Sequence, residues 1–334
     1  MALKLSDKIG GKVSVIVPHV YGERQKRILE EEFGNDPRIV LDEEFGSILR
    51  SIFFDGASYA DFLRQWLTSV DDVSAKAAAL LNKKYDIVCE ISRSPLLNLG
   101  ITPAFYNSWT RTSVILERAM QEPAIVIDHA LLSRAMEKFR TLESRYAMHL
   151  ISVPGTVDPQ KGDEPIPLSA SVPPSDDEGV KPGVYVTVSG IPDVGSLQGI
   201  ADCIGLKIYA SDSAKIKGSV HALPGILARS EITAHIARAG WGAIGTSLAT
   251  ETPLIVPEYQ SGEDPEIYFN IRRIEELGLG IAFRNQTKSD LLEQIEKLRP
   301  RIAAYKKELI QRFGSMDGAQ IAAEKMEKYL QDHA

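Results

Sequence analysis

Short apolar runs alternate along this chain with longer stretches whose apolar residues recur at helical spacing. Residues 12–18 (KVSVIVP) form a β-branched run. Residues 21–33 follow as a helix, with Ile28, Leu29 and Phe33 on one face and Gly34 as its stop. Residues 38–41, 85–91 (YDIVCEI), 102–106 and 124–127 read as further strands. Residues 58–67 and 73–82 read as two helices, and a longer one spans residues 131–145. Alternation of this kind predicts an α/β architecture: a parallel sheet with helices on both faces.

The pattern stops at residues 154–183. This stretch holds seven prolines and the acidic trio Asp176, Asp177 and Glu178, and it reads as a linker or long exposed loop. A second alternation follows. Strands are predicted at 184–188 (VYVTV), 206–210, 231–236 and 253–256, and helices at 196–203, 225–228, from Gly240, and at 265–277. The charged tail from Asp290 is helical. The predicted plan is a domain over 1–155, a linker over 156–182, a domain over 183–312, and a terminal helix over 313–334.

Composition adds limits. A chain of 334 residues is long for one core and suits two domains. Its 44% hydrophobic and 25% charged content is that of an ordinary globular protein. The net charge of −7, with no sustained basic run, argues against a nucleic-acid binder. A local pocket can still be positive on an acidic protein. Cys89 and Cys203 lie far apart, without metal-ligand spacing, and read as buried thiols in a reducing compartment. Residues 1–11 lack the apolar core of a signal peptide, and no run approaches the ~18 apolar residues of a span. A cytoplasmic protein is expected, with peripheral membrane contact left open.

The chemistry concentrates in residues 238–283. Gly240 and Gly242 flank a strand-to-helix turn, where glycine lets a ligand approach the backbone closely. The helix beginning there would direct its N-terminal amides at an anion such as a diphosphate. Arg238 stands beside the turn, ready to bond phosphate oxygens. Glu263, Asp264 and Glu266 open the next helix, where acidic residues are favoured on stability grounds and can also accept bonds from sugar hydroxyls. Asn270 lies one turn beyond Glu266. His129 and His235 interrupt or follow apolar runs and read as structural.

In order, Gly240-Trp241, Leu248-Ala249, Thr252-Pro253, Asp264-Pro265-Glu266, Asn270 and the run IEELGLG at 274–280 resemble the donor-binding region of GT-B glycosyltransferases. The resemblance is closest to UDP-sugar transferases of the plant, drug-conjugating and peptidoglycan types. It is specific over residues 231–283 and looser over 184–225, where Ser189-Gly190 matches the first glycine loop and the run 220–224 (VHALP), with His221, matches the base-contacting loop. The stretch from Glu231 to Gly240 runs about two residues longer than the pattern, and three positions depart from it. Thr246 stands where a ribose-binding Glu is common, Glu251 replaces a turn glycine, and Glu266 replaces a Gln.

The resemblance implies two Rossmann-like domains facing a cleft. It implies sugar transfer from a nucleoside-diphosphate donor, UDP-linked, to a hydroxyl acceptor of unknown identity, with no metal or other cofactor. The first-domain loop, PHVYGERQKR at 18–27, puts Glu23 at the position of the family's general base, with His19 four residues earlier. An inverting transferase needs one such base to take the acceptor proton. Two other readings stay open: a nucleotide-sugar hydrolase, and a non-catalytic binding or scaffold protein with this fold.

Overall fold

The computed structural model describes residues 1–10, 15–17, 23, 26–27, 29–30, 34–41, 43–50, 58–81, 87–91, 104–168, 179–188 and 194–333. The chain divides into two compact units. One comprises Met1–Ile166, Ser261–Pro265 and Ala319–Ala334; the other comprises Pro167–Gln260 and Glu266–Gly318.

The first unit contains helix α1 (Ala2–Ile9), strands β1 (Val15–Val17) and β2 (Ile39–Leu41), and helices α2 (Glu43–Arg50) and α3 (Tyr59–Leu81). Strands β3 (Val88–Ile91) and β4 (Ala104–Ser108), helices α4 (Thr112–Ala119) and α5 (His129–Glu143), and strands β5 (Met148–Val153) and β6 (Asp163–Pro167) follow. β3, β4, β5 and β6 make a four-stranded sheet in that order, with β3, β4 and β5 parallel, while β1 and β2 form a separate parallel pair. Successive residues of β4 point to opposite faces, as a pleated strand requires. Phe105 packs with Leu5, Leu150, Ala322 and Met326, whereas Tyr106 packs with Ala77, Ala78 and Tyr146. With both faces covered, the whole of β4 is buried despite its polar Asn107 and Ser108.

The residues 58–67 and 73–82 belong to one helix, not two. In α3 the residues Leu63, Trp66, Val70, Val73 and Ala77 are all buried at spacings of three or four, so the apolar stripe runs straight through the polar stretch between them. Trp66 stacks on Phe139 of α5 at 3.8 Å between ring centroids. The expected strand at 124–127 is an irregular lead-in to α5, with the Ile127 amide bonded to the Ile125 carbonyl at 3.2 Å. Val126 there is 75% exposed, and Asp128 caps the helix by accepting from the Leu131 amide at 2.8 Å. The proline-rich stretch is not wholly loop, because β6 lies within it.

The second unit is built on six strands: β7 (Gly183–Val186), β8 (Lys207–Ala210), β9 (Val220–His221), β10 (Ile232–Ile236), β11 (Leu254–Pro257) and β12 (Gly280–Phe283). Its helices are α6 (Val194–Ile204), α7 (Trp241–Thr250), α8 (Pro265–Leu277) and α9 (Lys288–Phe313), with a short 3-10 turn at Pro224–Ala228. The strand order is β12-β11-β10-β7-β8-β9, every pairing parallel. Counted from β7, that is the order 3-2-1-4-5-6 of the doubly wound nucleotide-binding sheet. One core cluster joins Val184, Val186, Ile200, Ile204, Ala234, Ile236 and Ile255 to Leu291 and Ile295 of α9. The helical tail is two helices: Gly314 ends α9 at φ 76°, and α10 (Gly318–Asp332) carries Ala322, Ala323 and Met326 into the core of the first unit.

The run IEELGLG is explained by folding. The Leu279 amide bonds the Ile274 carbonyl at 2.8 Å and the Gly278 amide bonds that of Glu275 at 3.1 Å, a Schellman stop for α8. Gly278 sits at φ 67°, the left-handed region, and a Cβ there would stand 2.6 Å from Arg301 Cδ. Gly280 lets β12 approach β11, since its Cβ would lie 2.6 Å from the Leu254 carbonyl oxygen. Gly278→Ala is expected to cost about 1–2 kcal/mol, read as a lower urea midpoint at unchanged slope.

Candidate functional site

In a doubly wound sheet the ligand crevice opens at the carboxyl ends of the strands where the winding reverses. Here that point lies between β7 and β10, which pair directly. The chain leaves β10 at Ile236 and reaches Gly240, the N-cap of α7, through Ala237, Arg238 and Ala239. Gly240 is extended (φ −95°, ψ 165°) and its amide bonds the Arg238 carbonyl at 2.7 Å. The first bond within the helix runs from Ile244 to the Gly240 carbonyl at 3.1 Å, so the amides of the opening turn have no acceptor inside the helix. Gly242 is exposed, Arg238 and Trp241 are half-buried, and no side chain caps this end. The arrangement is a helix N-terminus aimed at the switch point with a guanidinium two residues before it. It suits an anion.

Asn270 holds this turn directly, and Glu266 holds Asn270. Asn270 is wholly buried on α8, and its Nδ2 donates to the Ala239 carbonyl at 2.9 Å and to Glu266 Oε1 at 3.3 Å. The amide expected to meet a sugar is thus engaged in fixing the residue between Arg238 and Gly240. Glu266 is also buried, in the first turn of α8. Thr246 is half-buried five residues into α7.

Asp264 is buried just ahead of α8 and belongs to the first unit. His221 ends β9 and is exposed, two strands from β7, or about 10 Å across the sheet. Glu23 is exposed in the first unit. His19, Ser189 and Gly190 lie outside the described residues. A shallow cavity of about 450 Å3, lined by Leu227, Arg229, Thr250, Glu251, Thr252 and Arg299, is at the opposite edge of the sheet, before β10 and β11. It is remote from the switch point.

Glu251 stands at a turn whose backbone conformation would suit glycine. It takes φ 56° as the C-cap of α7, a conformation glycine adopts freely. Its carboxylate pairs with Lys306 Nζ at 2.8 Å, and the same ammonium bonds the Ala249 carbonyl at 2.9 Å. The ion pair and the C-terminal cap offset the backbone strain.

A polar group that sequence reading treats as merely structural sits beneath the crevice. His235 of β10 is buried, its Nε2 2.7 Å from Thr187 Oγ1 and its Nδ1 2.7 Å from Ser247 Oγ of α7. Burial pushes its pKa down to about 3, so the ring is neutral at pH 7. In the unfolded chain the imidazole protonates near 6.5. The unfolded state therefore binds more protons below that pH, and stability falls as pH drops from about 6.5 towards 3. The slope from this residue approaches 1.4 kcal/mol per pH unit. Urea titrations of the wild type and His235→Phe from pH 7 to 4 should show a shallower acid loss in the variant.

Among the described residues, no cluster of His, Cys, Asp and Glu has the makings of a metal site, and no helix is long and apolar enough to cross a membrane. No family model matches the sequence, and neither does any curated protein. Solved structures do match over nearly the full length. A UDP-glucose: anthocyanidin 3-O-glucosyltransferase in complex with UDP aligns at a TM-score of 0.63, covering 99% of this chain and 94% of its own, with 13% identity. The glycotransferase of kitacinnamycin aligns at 0.61, covering 98% and 94%, with 13% identity. The Phytolacca americana transferase UGT2, complexed with UDP-2fluoro-glucose and pterostilbene, aligns at 0.60, covering 98% and 95%, with 12% identity. With its two parallel sheets and the 3-2-1-4-5-6 order of the second, the chain has the fold of the GT-B glycosyltransferases.

Proposed function

We propose that the protein transfers a sugar from a nucleoside-diphosphate donor, UDP-linked, to a hydroxyl acceptor. The observation that carries this reading is the turn from Arg238 to Gly242, at the switch point of the doubly wound sheet. In this reading the opening amides of α7 and the Arg238 guanidinium hold the diphosphate and stabilise the charge it gains as the sugar departs. Asn270 and Glu266 keep that turn in shape. Glu266 and Asp264 remain candidates for sugar hydroxyls, Trp241, Thr246 and His221 for the nucleoside, and Ser189-Gly190 for the first glycine loop of the donor side. The N-terminal unit is the expected acceptor side, with Glu23 or His19 as base.

UDP in one solved neighbour and UDP-2fluoro-glucose in another support a uridine donor. The pterostilbene bound in the second of these supports a hydroxylated aromatic acceptor. The test is diphosphate release from UDP-, TDP- and GDP-sugars, with and without a pool of hydroxylated aromatic acceptors. Release that needs the acceptor is the expected result. Equal release without acceptor means a hydrolase, and binding with no release means a non-catalytic protein.

A further inference from the structure

His235 links three chain segments of the second unit through its two ring nitrogens. Thr187 is the first residue beyond β7, and its amide continues the ladder by bonding the Ile236 carbonyl at 3.0 Å. His235 is the penultimate residue of β10, three before Arg238. Ser247 is buried on the face of α7 turned to the sheet, six residues after Trp241. The imidazole lies between the two hydroxyls at 2.7 Å from each, with the Tyr185 ring 5.7 Å away at a 38° tilt. A neutral imidazole has one N–H and one lone pair, so one hydroxyl donates to it and the other accepts. The imidazole therefore joins the two hydroxyls in a directional chain, to which the Tyr185 hydroxyl adds hydrogen bonds with Thr187 and Ser211, and an unsatisfied member of such a buried chain would be costly.

An apolar core would fill this space without polar groups at all. What the chain of bonds adds is orientation. It fixes α7 in rotation and height against the ends of β7 and β10, the two strands flanking the crevice. We infer that Thr187, His235 and Ser247 are positioning residues for the diphosphate subsite: they set the N-terminus of α7 and the exit of β7 in one geometry. This rests on the donor-site reading above. The Asn270 bond to Ala239 fixes the same turn from the other side, so the helix N-terminus is held from both directions.

The test is titration calorimetry with UDP on the wild type and on the triple variant Thr187→Val, His235→Phe, Ser247→Ala. The triple variant removes the bonds while keeping apolar volume, and the Tyr185 hydroxyl, which loses Thr187, keeps the Ala222 carbonyl and Ser211. Circular dichroism and thermal unfolding establish that it is folded at the titration temperature. The expected result is UDP binding weakened about tenfold in a folded protein, with His235→Gln, which can still donate and accept, staying within about threefold of the wild type. Should the single His235→Phe fail to fold, the triple variant and His235→Gln carry the test. Wild-type affinity in the folded triple variant would overturn the inference and leave the donor site standing. A wild type that binds neither UDP nor any other nucleoside diphosphate would overturn the donor site itself.

Discussion

Arg238→Ala is expected to weaken UDP binding by about 10–100-fold while the protein remains folded. A charge-assisted bond to a phosphate oxygen contributes about 1.5–3 kcal/mol, and that range sets the estimate. The residue lies between the last residue of β10 and the N-cap of α7, and it is half-buried, so its charge is less screened than that of a surface arginine. Arg238→Lys should recover part of the loss, because it restores the charge but not the planar fork that grips two oxygens. Raising the salt concentration should weaken UDP binding in the wild type more than in the alanine variant. Calorimetric titration at two ionic strengths reads both effects. Equal affinities for wild type and Arg238→Ala would remove the guanidinium from the site.

Asn270→Leu is expected to cost about 2–4 kcal/mol of stability. The side chain is 0% exposed and its amide is shared by the Ala239 carbonyl at 2.9 Å and Glu266 Oε1 at 3.3 Å. A leucine of similar size keeps the volume but takes the donor from both acceptors, one a carboxylate. The cost is the desolvation of groups left behind rather than the loss of one average hydrogen bond. Asn270→Asp should be worse near neutral pH, since it sets a second buried carboxylate against Glu266. Urea unfolding measures the stability. UDP titration of whichever variant stays folded should also show weaker binding, because Ala239 is held between the two residues that define the anion site. A variant of unchanged stability would mean that the turn does not depend on this amide.

The glycine turn, the guanidinium and the doubly wound plan were readable in the sequence because each is local. Parallel strands buried on both faces appear as unbroken apolar runs, as in LIVP of β11 and VYV of β7. Strand β5 was hidden because His149 and Ser152 break its apolar run, though both are buried. The role of Asn270 was hidden for another reason. Its spacing from Glu266 is visible on a helix, but its bond to Ala239, 31 residues earlier, exists only once α8 packs beside the turn. The Thr187–His235–Ser247 chain is equally non-local, spanning 48 and 12 residues. The run IEELGLG illustrates the converse: it carries much of the family resemblance, yet its glycines serve a helix stop and a close strand pair rather than a ligand.

Thermal unfolding with UDP, TDP, GDP and ADP, each in millimolar excess, tests the donor site most directly. A ligand that binds only the folded state at about 100 times its dissociation constant stabilises by about 2.7 kcal/mol. In domains of this size that raises Tm by several degrees. Such a rise is expected with UDP, and its loss in Arg238→Ala. No rise with any of the four would contradict the donor site, leaving a chain that shares the fold of the glycosyltransferases without their donor.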